Sequence, residues 1–265
     1  MRLIRRTAQP AVHRRTPNLA HSILLAILLL SEGPVSATVF VDGDAAPGGD
    51  GNSWSSAYRT IQPAIDDADA VDEEVWIAEG IYAEAIALRS GVAVYGGFAG
   101  TEADFAERNT RAHPTIIDGS RVDAGTPAEH VVLFQFVSNC TLDGLIIVGG
   151  AAEENWPAAF GGGIRCAGIN DTNRIVGCIV SGNSASRGGG IDCRDYASPI
   201  IRECIISGNT ATRGGGLYSW TDSAPTIVNC IFSGNDSWGS SIYLRTCSPT
   251  ITNCTFSSNA GYTGG

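Results

Sequence analysis

The sequence predicts an all-β fold, a solenoid of the parallel β-helix type, on two observations. The first is a six-residue segment that recurs at 178–183, 204–209, 230–235 and 254–259, with offsets of 26, 26 and 24 residues. The second is that each repeat holds several short runs of alternating apolar and polar residues and no helical pattern. A fixed period of this length is typical of stacked coils, in which neighbouring repeats together bury one continuous core.

Residues 1–37 have the pattern of a secretory signal peptide. Five arginines flank the start, an apolar run extends from Ile23 to Leu30, and small residues allow cleavage after Ala37. Eight apolar residues are too few to span a bilayer, and no second apolar run follows. We therefore expect an exported mature chain without a transmembrane helix, secreted or held at the cell surface.

The charge of the mature chain excludes one class of partner. Removal of residues 1–37 leaves 12 arginines against 26 acidic residues, a net charge of −14, in a chain with no lysine. Such a surface repels phosphate backbones and anionic lipid heads. Nucleic acid is therefore not expected as a partner, and the 228 remaining residues suit one elongated domain.

Residues 38–115 are predicted to form an N-terminal cap and the first coils. A strand at 39–41 precedes a helix at 60–70, where apolar residues recur at helical spacing behind Thr60, a suitable N-cap residue. One short helix at the start of a solenoid is typical of a cap over the first coil. Strands are expected next at 75–78, 92–95 and 115–117, because Gly, Asp or Asn punctuates these apolar runs.

Residues 116–265 are predicted to continue the β-helix as one domain, with strands at 131–136 and 145–148 and then a series of aligned columns. Alternation places two columns in the interior, while glycine and proline columns mark the turns. The glycine column is Gly161, Gly188, Gly214 and Gly239; the interior columns are Ile164, Ile191, Leu217 and Ile242, and Cys166, Cys193, Ser219 and Leu244; the proline column is Pro199, Pro225 and Pro249.

Two further columns bear on stability. The asparagines Asn183, Asn209, Asn235 and Asn259 are expected to hydrogen-bond along the axis at a turn and to accept left-handed backbone angles. The cysteines Cys178, Cys204, Cys230 and Cys254 are expected to form a ladder of buried thiols. Adjacent strands lie about 4.7–4.9 Å apart, whereas a disulfide needs Cβ atoms at about 3.5–4.5 Å. Metal binding is the lesser alternative, because no two cysteines have CxxC spacing.

The last coil is expected to be incomplete. Gly264 and Gly265 align with Gly214 and Gly215, but no residue follows that would match Leu217. An open coil offers unpaired backbone groups and bare apolar side chains, so we expect self-association or fraying at the C-terminal end.

Two sets of motifs carry a family resemblance. The repeat Cys-x-Phe-Ser-x-Asn, followed by Gly-Gly-Gly-Ile or Gly-Gly-Gly-Leu, resembles that of polymorphic outer-membrane proteins. The opening segments at 39–44, 53–58, 75–82 and 92–102 look like the start of exported bacterial proteins with right-handed, pectin-lyase-like β-helices. The resemblance covers essentially all of 38–265. It implies right-handed coils and a secreted or cell-surface protein associated with the outer membrane.

The candidate ligand site is a set of outward positions between the interior columns. Aromatic rings can stack on apolar sugar faces, and charged forks can orient hydroxyls or carboxylates. The set is Arg165, Asp192, Arg194, Tyr218, Trp220, Tyr243 and Arg245. It predicts a solvent-facing wall that binds carbohydrate or another cell-envelope component. The plainer interpretation is that Arg194, Trp220 and Arg245 form a cation–π column with no ligand.

Catalysis is the alternative function, because many pectin-lyase-like β-helices cleave acidic polysaccharides. A lyase needs a strong base and a hydrolase needs paired carboxylates. The chain offers only Asp192, Arg194 and Asp195 as weak catalytic candidates, and the motifs of polygalacturonases and pectinesterases are missing. We therefore expect a non-catalytic binding protein rather than an enzyme. A structural spacer or passenger fragment of a larger surface protein is the third hypothesis.

A calcium ion is the one cofactor that the sequence suggests. Asp42, Asp44, Asp50 and Asn52 give one loop an oxygen-rich composition. The loop lacks the spacing of an EF-hand and its terminal glutamate. Asx-turns in a loop rich in glycine and proline explain the same residues.

Overall fold

The computed structural model describes residues 38–68, 73–122, 125–152 and 159–261. The expected signal peptide and the glycines at 264 and 265 lie outside these ranges. The described part contains one α-helix, α1 (Ile61–Asp67), three 3-10 turns (Trp54–Ser56, Phe105–Glu107 and Gly119–Arg121) and 26 short strands. In this part of the chain no helix has both the length and the hydrophobicity that crossing a membrane requires.

The strands are two to six residues long and follow one another along the whole described chain. The first half are β1 (Thr38–Val41), β2 (Glu74–Ala78), β3 (Gly80–Tyr82), β4 (Ile86–Ala87), β5 (Ala93–Phe98), β6 (Thr115–Asp118), β7 (Val132–Gln135), β8 (Thr141–Asp143), β9 (Leu145–Val148), β10 (Ala151–Ala152), β11 (Ile164–Ala167), β12 (Arg174–Val176) and β13 (Ile179–Ser181). The second half are β14 (Ser184–Arg187), β15 (Ile191–Arg194), β16 (Ile200–Arg202), β17 (Ile205–Ser207), β18 (Thr210–Arg213), β19 (Leu217–Trp220), β20 (Thr226–Val228), β21 (Ile231–Ser233), β22 (Asp236–Ser237), β23 (Ile242–Arg245), β24 (Thr250–Thr252), β25 (Thr255–Ser257) and β26 (Ala260–Gly261).

Each strand pairs in parallel with the corresponding strand of the next coil, which produces four long sheets. Sheet A contains β1, β2, β5, β8, β12, β16, β20 and β24; sheet B contains β3, β6, β9, β13, β17, β21 and β25; sheet C contains β4, β7, β11, β15, β19 and β23; sheet D contains β10, β14, β18, β22 and β26. From Ile164 onward the paired residues lie 24–27 positions apart, and stacked parallel pairing of this kind is the geometry of a parallel β-helix. The predicted all-β solenoid is confirmed.

The interior columns lie where alternation places them. Ile191 pairs in register with Ile164 on one side and Leu217 on the other, and all three side chains are fully buried. The next member, Ile242, is only half-buried, and Leu244 of the second column is 44% exposed. These two members of the predicted interior columns are therefore less buried in the last described coil than the alternation predicts. Self-association at this end stays a prediction.

Helix α1 covers the start of the coils with its apolar side. Ile61, Ala64 and Ile65 are buried, and the helix ends at Asp67, three residues before the predicted end. Thr60 occupies the N-cap position but makes no capping hydrogen bond with its side chain. Instead the Glu84 carboxylate accepts hydrogen bonds from the backbone N–H groups of Ile61 (2.8 Å) and Gln62 (3.1 Å). A distant carboxylate thus satisfies the first turn, a contact that the local sequence does not reveal.

The predicted cysteine ladder is present and buried. Cys178, Cys204 and Cys230 lie in successive coils with at most 1% exposure, and Cys254 is half-buried in the last described coil. The Cys204 thiol donates to the backbone carbonyl of Arg202 at 3.2 Å. Hydrogen bonds with the neighbouring thiols of Cys178 and Cys230, together with burial, hold the pKa of Cys204 well above its ordinary value. These thiols therefore act as small apolar fillers of the core.

Thiol titration is expected to find most of the eight cysteines reduced. In denaturant without reductant, a thiol reagent should count more than half of them, because the in-register spacing disfavours disulfides. In the native protein the same reagent should react slowly with the buried ladder and first with Cys247 and Cys254, which are partly exposed. A count below two thiols per denatured chain would contradict the ladder.

The asparagine column forms the expected chain of amide hydrogen bonds. Asn183, Asn209 and Asn235 each donate from Nδ2 to the Oδ1 of the next asparagine, at 3.0–3.1 Å, and the last acceptor is Asn259. The backbone expectation for these residues is wrong. The left-handed position belongs to the preceding residue, Gly182, Gly208 or Gly234, with φ of 60–63°, and to Ser258 in the last coil. The asparagine side chain instead forms hydrogen bonds with backbone groups inside the turn.

Candidate functional site

The predicted wall is the outer face of sheet C. Register places Arg165, Asp192, Tyr218 and Tyr243 side by side on β11, β15, β19 and β23. Two residues further along their strands lie Arg194, next to Ala167, and Trp220, next to Arg245. The sequence therefore brought these residues together correctly on one sheet.

The expectation that this wall faces solvent is wrong at its centre. Asp192 is fully buried, Arg194 is 2% exposed and Tyr218 is 1% exposed. The physical reason is a second apolar cluster on the outside of sheet C, formed by Ala159, Phe160 and Tyr218. The Phe160 ring centroid is 6.0 Å from that of Tyr218 and 3.9 Å from the guanidinium carbon of Arg194. Phe160 thus packs against the side chains that the sequence assigned to the surface.

Burial dominates the electrostatics of the covered residues. The Arg194 Nε lies 3.2 Å from Oδ2 of Asp192, but neither Asp192 oxygen accepts a well-aligned hydrogen bond. Burial raises the pKa of Asp192 to about 7, although the charges of Arg194 and Arg165 oppose that shift. Burial also lowers the pKa of Arg194. Both shifts have the same meaning, namely that the attraction within the pair does not offset the loss of hydration.

His130 is a neutral partner of Arg165. Its Nδ1 lies 3.0 Å from the carbonyl oxygen of Gly161, which can only accept, so Nδ1 carries the proton. The Nε2 atom then accepts a hydrogen bond from Nη1 of Arg165 at 3.0 Å. Burial and the positive charge of Arg165 lower the pKa of His130 to about 4. The imidazole therefore stays uncharged at neutral pH.

The weak catalytic candidates do not form one accessible site. Asp192 lies in the interior of the outer cluster, whereas Asp195 lies exposed at the corner after β15, in a left-handed conformation with φ of 56°. A hydrolase needs two carboxylates that reach the same bond of the substrate. A substrate could reach Asp192 only if Phe160 moved away.

The accessible part of sheet C combines arginines with aromatic rings. The rings of Tyr218 and Tyr243 stack at 5.4 Å with 5° between their planes. Arg245 lies over Trp220 at 5.4 Å and Arg213 over Tyr243 at 5.6 Å. The predicted cation–π contact of Trp220 with Arg245 is confirmed, whereas Arg194 stacks on Phe160 instead. We call Arg187, Arg213, Trp220, Tyr243 and Arg245 the arginine–aromatic patch; all five are partly or fully exposed.

Sequence reasoning missed Arg187 and Arg213 of this patch. They end strands β14 and β18 of sheet D and pair with each other in register. Arg187 also lies 5.0 Å from the ring of Phe160. Their signal was available, because each arginine directly precedes a glycine of the predicted column, Gly188 or Gly214, at an offset of 26 residues.

The loop predicted as a calcium site uses its acidic side chains for local turns. Asp42 Oδ1 accepts from the N–H of Asp44 at 2.9 Å, and Asp50 Oδ1 accepts from the N–H of Asn52 at 3.2 Å. Hydrogen bonds from Ser56 and Asn52 lower the pKa of Asp50 to about 2. The described residues contain no group of three or more His, Cys, Asp or Glu side chains placed to hold a metal ion. Asx-turns account for the composition of this loop, and calcium binding stays a prediction.

Comparison with known proteins identifies the family of the coils. Residues 130–264 match the model of the family described as right handed beta helix region. None of the curated proteins matches the sequence. A crystal structure of the pectin methylesterase from Aspergillus niger, in deglycosylated form, aligns with 86% of this chain and 68% of its own, at 16% identity and a TM-score of 0.45. The family model covers half of the chain and supplies the handedness that the repeat spacing leaves open, so the protein belongs to the right-handed β-helix family.

Proposed function

We propose that this protein is an exported or cell-surface β-helix that binds acidic carbohydrate, without cleaving it, at the arginine–aromatic patch. The observation that carries the proposal is the concentration of arginines there. The mature chain has 12 arginines and 26 acidic residues, yet Arg245 and Arg213 lie over the partly exposed rings of Trp220 and Tyr243, and Arg187 pairs in register with Arg213. A locally positive surface on an acidic protein selects anionic ligands.

The two arginines that pair in register support an anionic ligand most directly. Arg187 and Arg213 lie on adjacent strands, so their backbones are about 4.8 Å apart. Like charges on neighbouring positions of a sheet repel each other. A carboxylate between the guanidinium groups would remove the repulsion and accept charge-assisted hydrogen bonds from both.

The aromatic rings supply the second half of carbohydrate recognition. Trp220 and Tyr243 are partly exposed on the same face, and flat rings stack on the apolar faces of sugars. The stack of Tyr243 on the buried Tyr218 fixes its plane. A fixed ring loses little conformational entropy on binding. A uronate polymer, with a carboxylate on each sugar ring, fits this combination of rings and guanidinium groups.

Cleavage of an acidic polysaccharide is the rival function, and one observation favours it. Asp192 has a pKa near 7 beside two arginines, the pKa range of a general acid or base. Its burial argues against this role, because a general acid must come within hydrogen-bond distance of the substrate. A spacer without a ligand is the third candidate, and it would leave the cluster of arginines unexplained.

Replacing the patch cations is expected to weaken binding to polygalacturonate. The double variant Arg213→Gln, Arg245→Gln should lose about 30–150-fold in affinity at low salt, since each charge-assisted contact is worth about 1–1.5 kcal/mol. Trp220→Ala should lose about tenfold. Tyr218 is not a suitable target, because its burial makes the substitution a stability variant. Affinity electrophoresis or calorimetry measures the effect.

Controls separate binding from general charge and from catalysis. Arg202→Gln removes an exposed arginine from sheet A and should leave the affinity unchanged. New reducing or unsaturated ends in the bound polymer would show that the protein is an enzyme. Equal affinity of the wild type and the double variant would contradict the patch as the binding surface.

A further inference from the structure

The corner that follows sheet C contains a recurring left-handed backbone position. The first residue after the strand has a positive φ in each of five successive coils. These residues are Phe136 (54°), Gly168 (63°), Asp195 (56°), Thr221 (57°) and Thr246 (45°). Tyr196 follows Asp195 and is also left-handed, with φ of 65°. The β-helix therefore imposes this conformation, whatever residue the sequence places there.

Two bulky aromatic residues occupy this unfavourable conformation. Side chains with a Cβ are strained at positive φ, and bulky ones are true outliers. Glycine is accepted without strain, as Gly168 shows one coil after Phe136. Phe136 is 74% exposed and Tyr196 is 68% exposed, so neither ring gains much from burial. Neither the backbone nor the core explains why these rings are here, and strained residues of this kind cluster at binding sites.

The two rings flank a shallow groove. Phe136 and Tyr196 lie two coils apart, about 9–10 Å by strand spacing, and Gly168 lies in the coil between them. A Cβ at Gly168 would come within 2.4 Å of the Phe136 ring, so the ring lies directly over this glycine. Val137, Ser138, Ile169, Asn170 and Asp195 complete the lining.

The polar groups of the groove are placed on its rim. Asn170 is held by its Oδ1, which accepts from the N–H of Thr172 at 3.2 Å and from its hydroxyl at 2.6 Å. This anchoring fixes the orientation of its amide, whose Nδ2 is a donor. Ser138 adds a hydroxyl and Asp195 adds a carboxylate at the exposed corner. The described lining residues include donors and acceptors but no arginine or histidine.

We propose that this groove is a second ligand site, which binds a neutral sugar ring of a polysaccharide. Two aromatic faces match the apolar C–H faces of a pyranose ring, while Asn170, Ser138 and Asp195 match its hydroxyls. Asp195 would repel a uronate, which the arginine–aromatic patch favours. The two sites therefore differ in ligand charge, and this inference does not depend on the function proposed for the patch.

Substitution of the strained rings by glycine tests the proposal. The probes are labelled hexasaccharides of β-1,4-linked glucose, mannose and xylose, measured by fluorescence polarisation. The wild type should bind at least one of them. Phe136→Gly and Tyr196→Gly should each reduce that affinity at least tenfold, while Tm stays within about 2 °C of the wild-type value or rises, because glycine accepts the backbone conformation. A structural role for the rings would lower Tm instead.

A matched control is available one coil beyond the groove. Thr221→Gly changes a residue at the same backbone position, with φ of 57°, outside the groove lining, and should leave the affinity unchanged. The proposal would be overturned if none of the three neutral probes bound the wild type, or if both glycine variants kept the wild-type affinity. It would also be overturned if the variants that lost affinity showed a Tm more than about 2 °C below the wild-type value, because the rings would then have a structural role. Loss of polygalacturonate binding in these variants would also overturn it, because the Asp195 carboxylate makes the groove unfavourable for a uronate.

Discussion

Replacing Asp192 with asparagine is expected to stabilise the protein increasingly as the pH rises from 4 to 7. Burial raises the pKa of Asp192 from 3.8 to about 7 in the folded protein. A carboxyl group with a raised pKa contributes its full stability below the unfolded value, and that contribution is lost as the pH rises through the folded value. The shift of about three pKa units corresponds to about 4 kcal/mol. Asparagine does not titrate, so the variant avoids this loss.

The titration of His130 changes the stability of the wild type with pH in the opposite direction to that of Asp192. Its folded pKa of about 4 lies below the unfolded value of 6.5, so its contribution is full above pH 6.5 and is lost as the pH falls towards 4. Between pH 4 and 6.5 the two titrations therefore oppose each other and the wild-type profile is flattened. The variant His130→Gln should gain stability relative to the wild type towards low pH, by about 3 kcal/mol.

Urea unfolding from pH 4 to pH 8 measures both effects as differences from the wild type, which cancels the contribution of the other carboxylates. Asp195→Asn is the control, because it removes a carboxylate three residues away at the exposed corner. It should not reproduce the pH-dependent gain of Asp192→Asn, because the Asp195 carboxylate is exposed to solvent in the folded protein. A flat curve for Asp192→Asn would mean that water reaches this carboxylate, and that Phe160 does not cover sheet C as the structure has it.

The sequence predicted the fold because its repeats report directly on register. Columns such as Ile164, Ile191 and Leu217 recur at the coil length, and pairing in register places them inside. The cysteine and asparagine columns followed from the same argument. Where the repeats are absent, before residue 160, short strands such as β3, β4 and β8 went unpredicted, because two or three residues carry too little alternation.

The exposure of the candidate site could not be predicted in the same way. Alternation states that Asp192 and Tyr218 point away from the interior of the coils, and this is correct. It does not state what packs against the outer face. Phe160 reaches these residues from the corner before β11, in a contact that no periodic pattern encodes. The patch arginines of sheet D likewise needed the fold, because they come from a different sheet from Trp220 and Tyr243.

Replacing Asn209 with alanine is expected to destabilise the protein by about 3–4 kcal/mol. The side chain is fully buried. Its Nδ2 donates to the Val180 carbonyl at 2.9 Å, and its Oδ1 accepts from the backbone N–H of Asn183 at 3.1 Å. Alanine leaves the buried N–H of Asn183 without its side-chain acceptor and removes the amide donor from the Val180 carbonyl, and each lost partner of a buried group costs about 1–3 kcal/mol. The fall in Tm should be about 6–16 °C for a chain of this size.

A comparison of two positions in the asparagine column tests this explanation. Asn259 makes the equivalent bonds in the last described coil, where it is only half-buried, so water can replace them and Asn259→Ala should cost about 1 kcal/mol. The exposed Asn253 donates from Nδ2 to Oδ1 of Asn229 at 2.7 Å and has a φ of 52°. The variant Asn253→Gly therefore removes an exposed amide pair without adding backbone strain. It should change the free energy of unfolding by less than about 0.5 kcal/mol. Equal losses at Asn209 and Asn259 would mean that the amides act through turn conformation rather than by satisfying buried backbone groups. If burial sets the cost, the loss of stability should be largest in the middle of the asparagine column and smaller at its end.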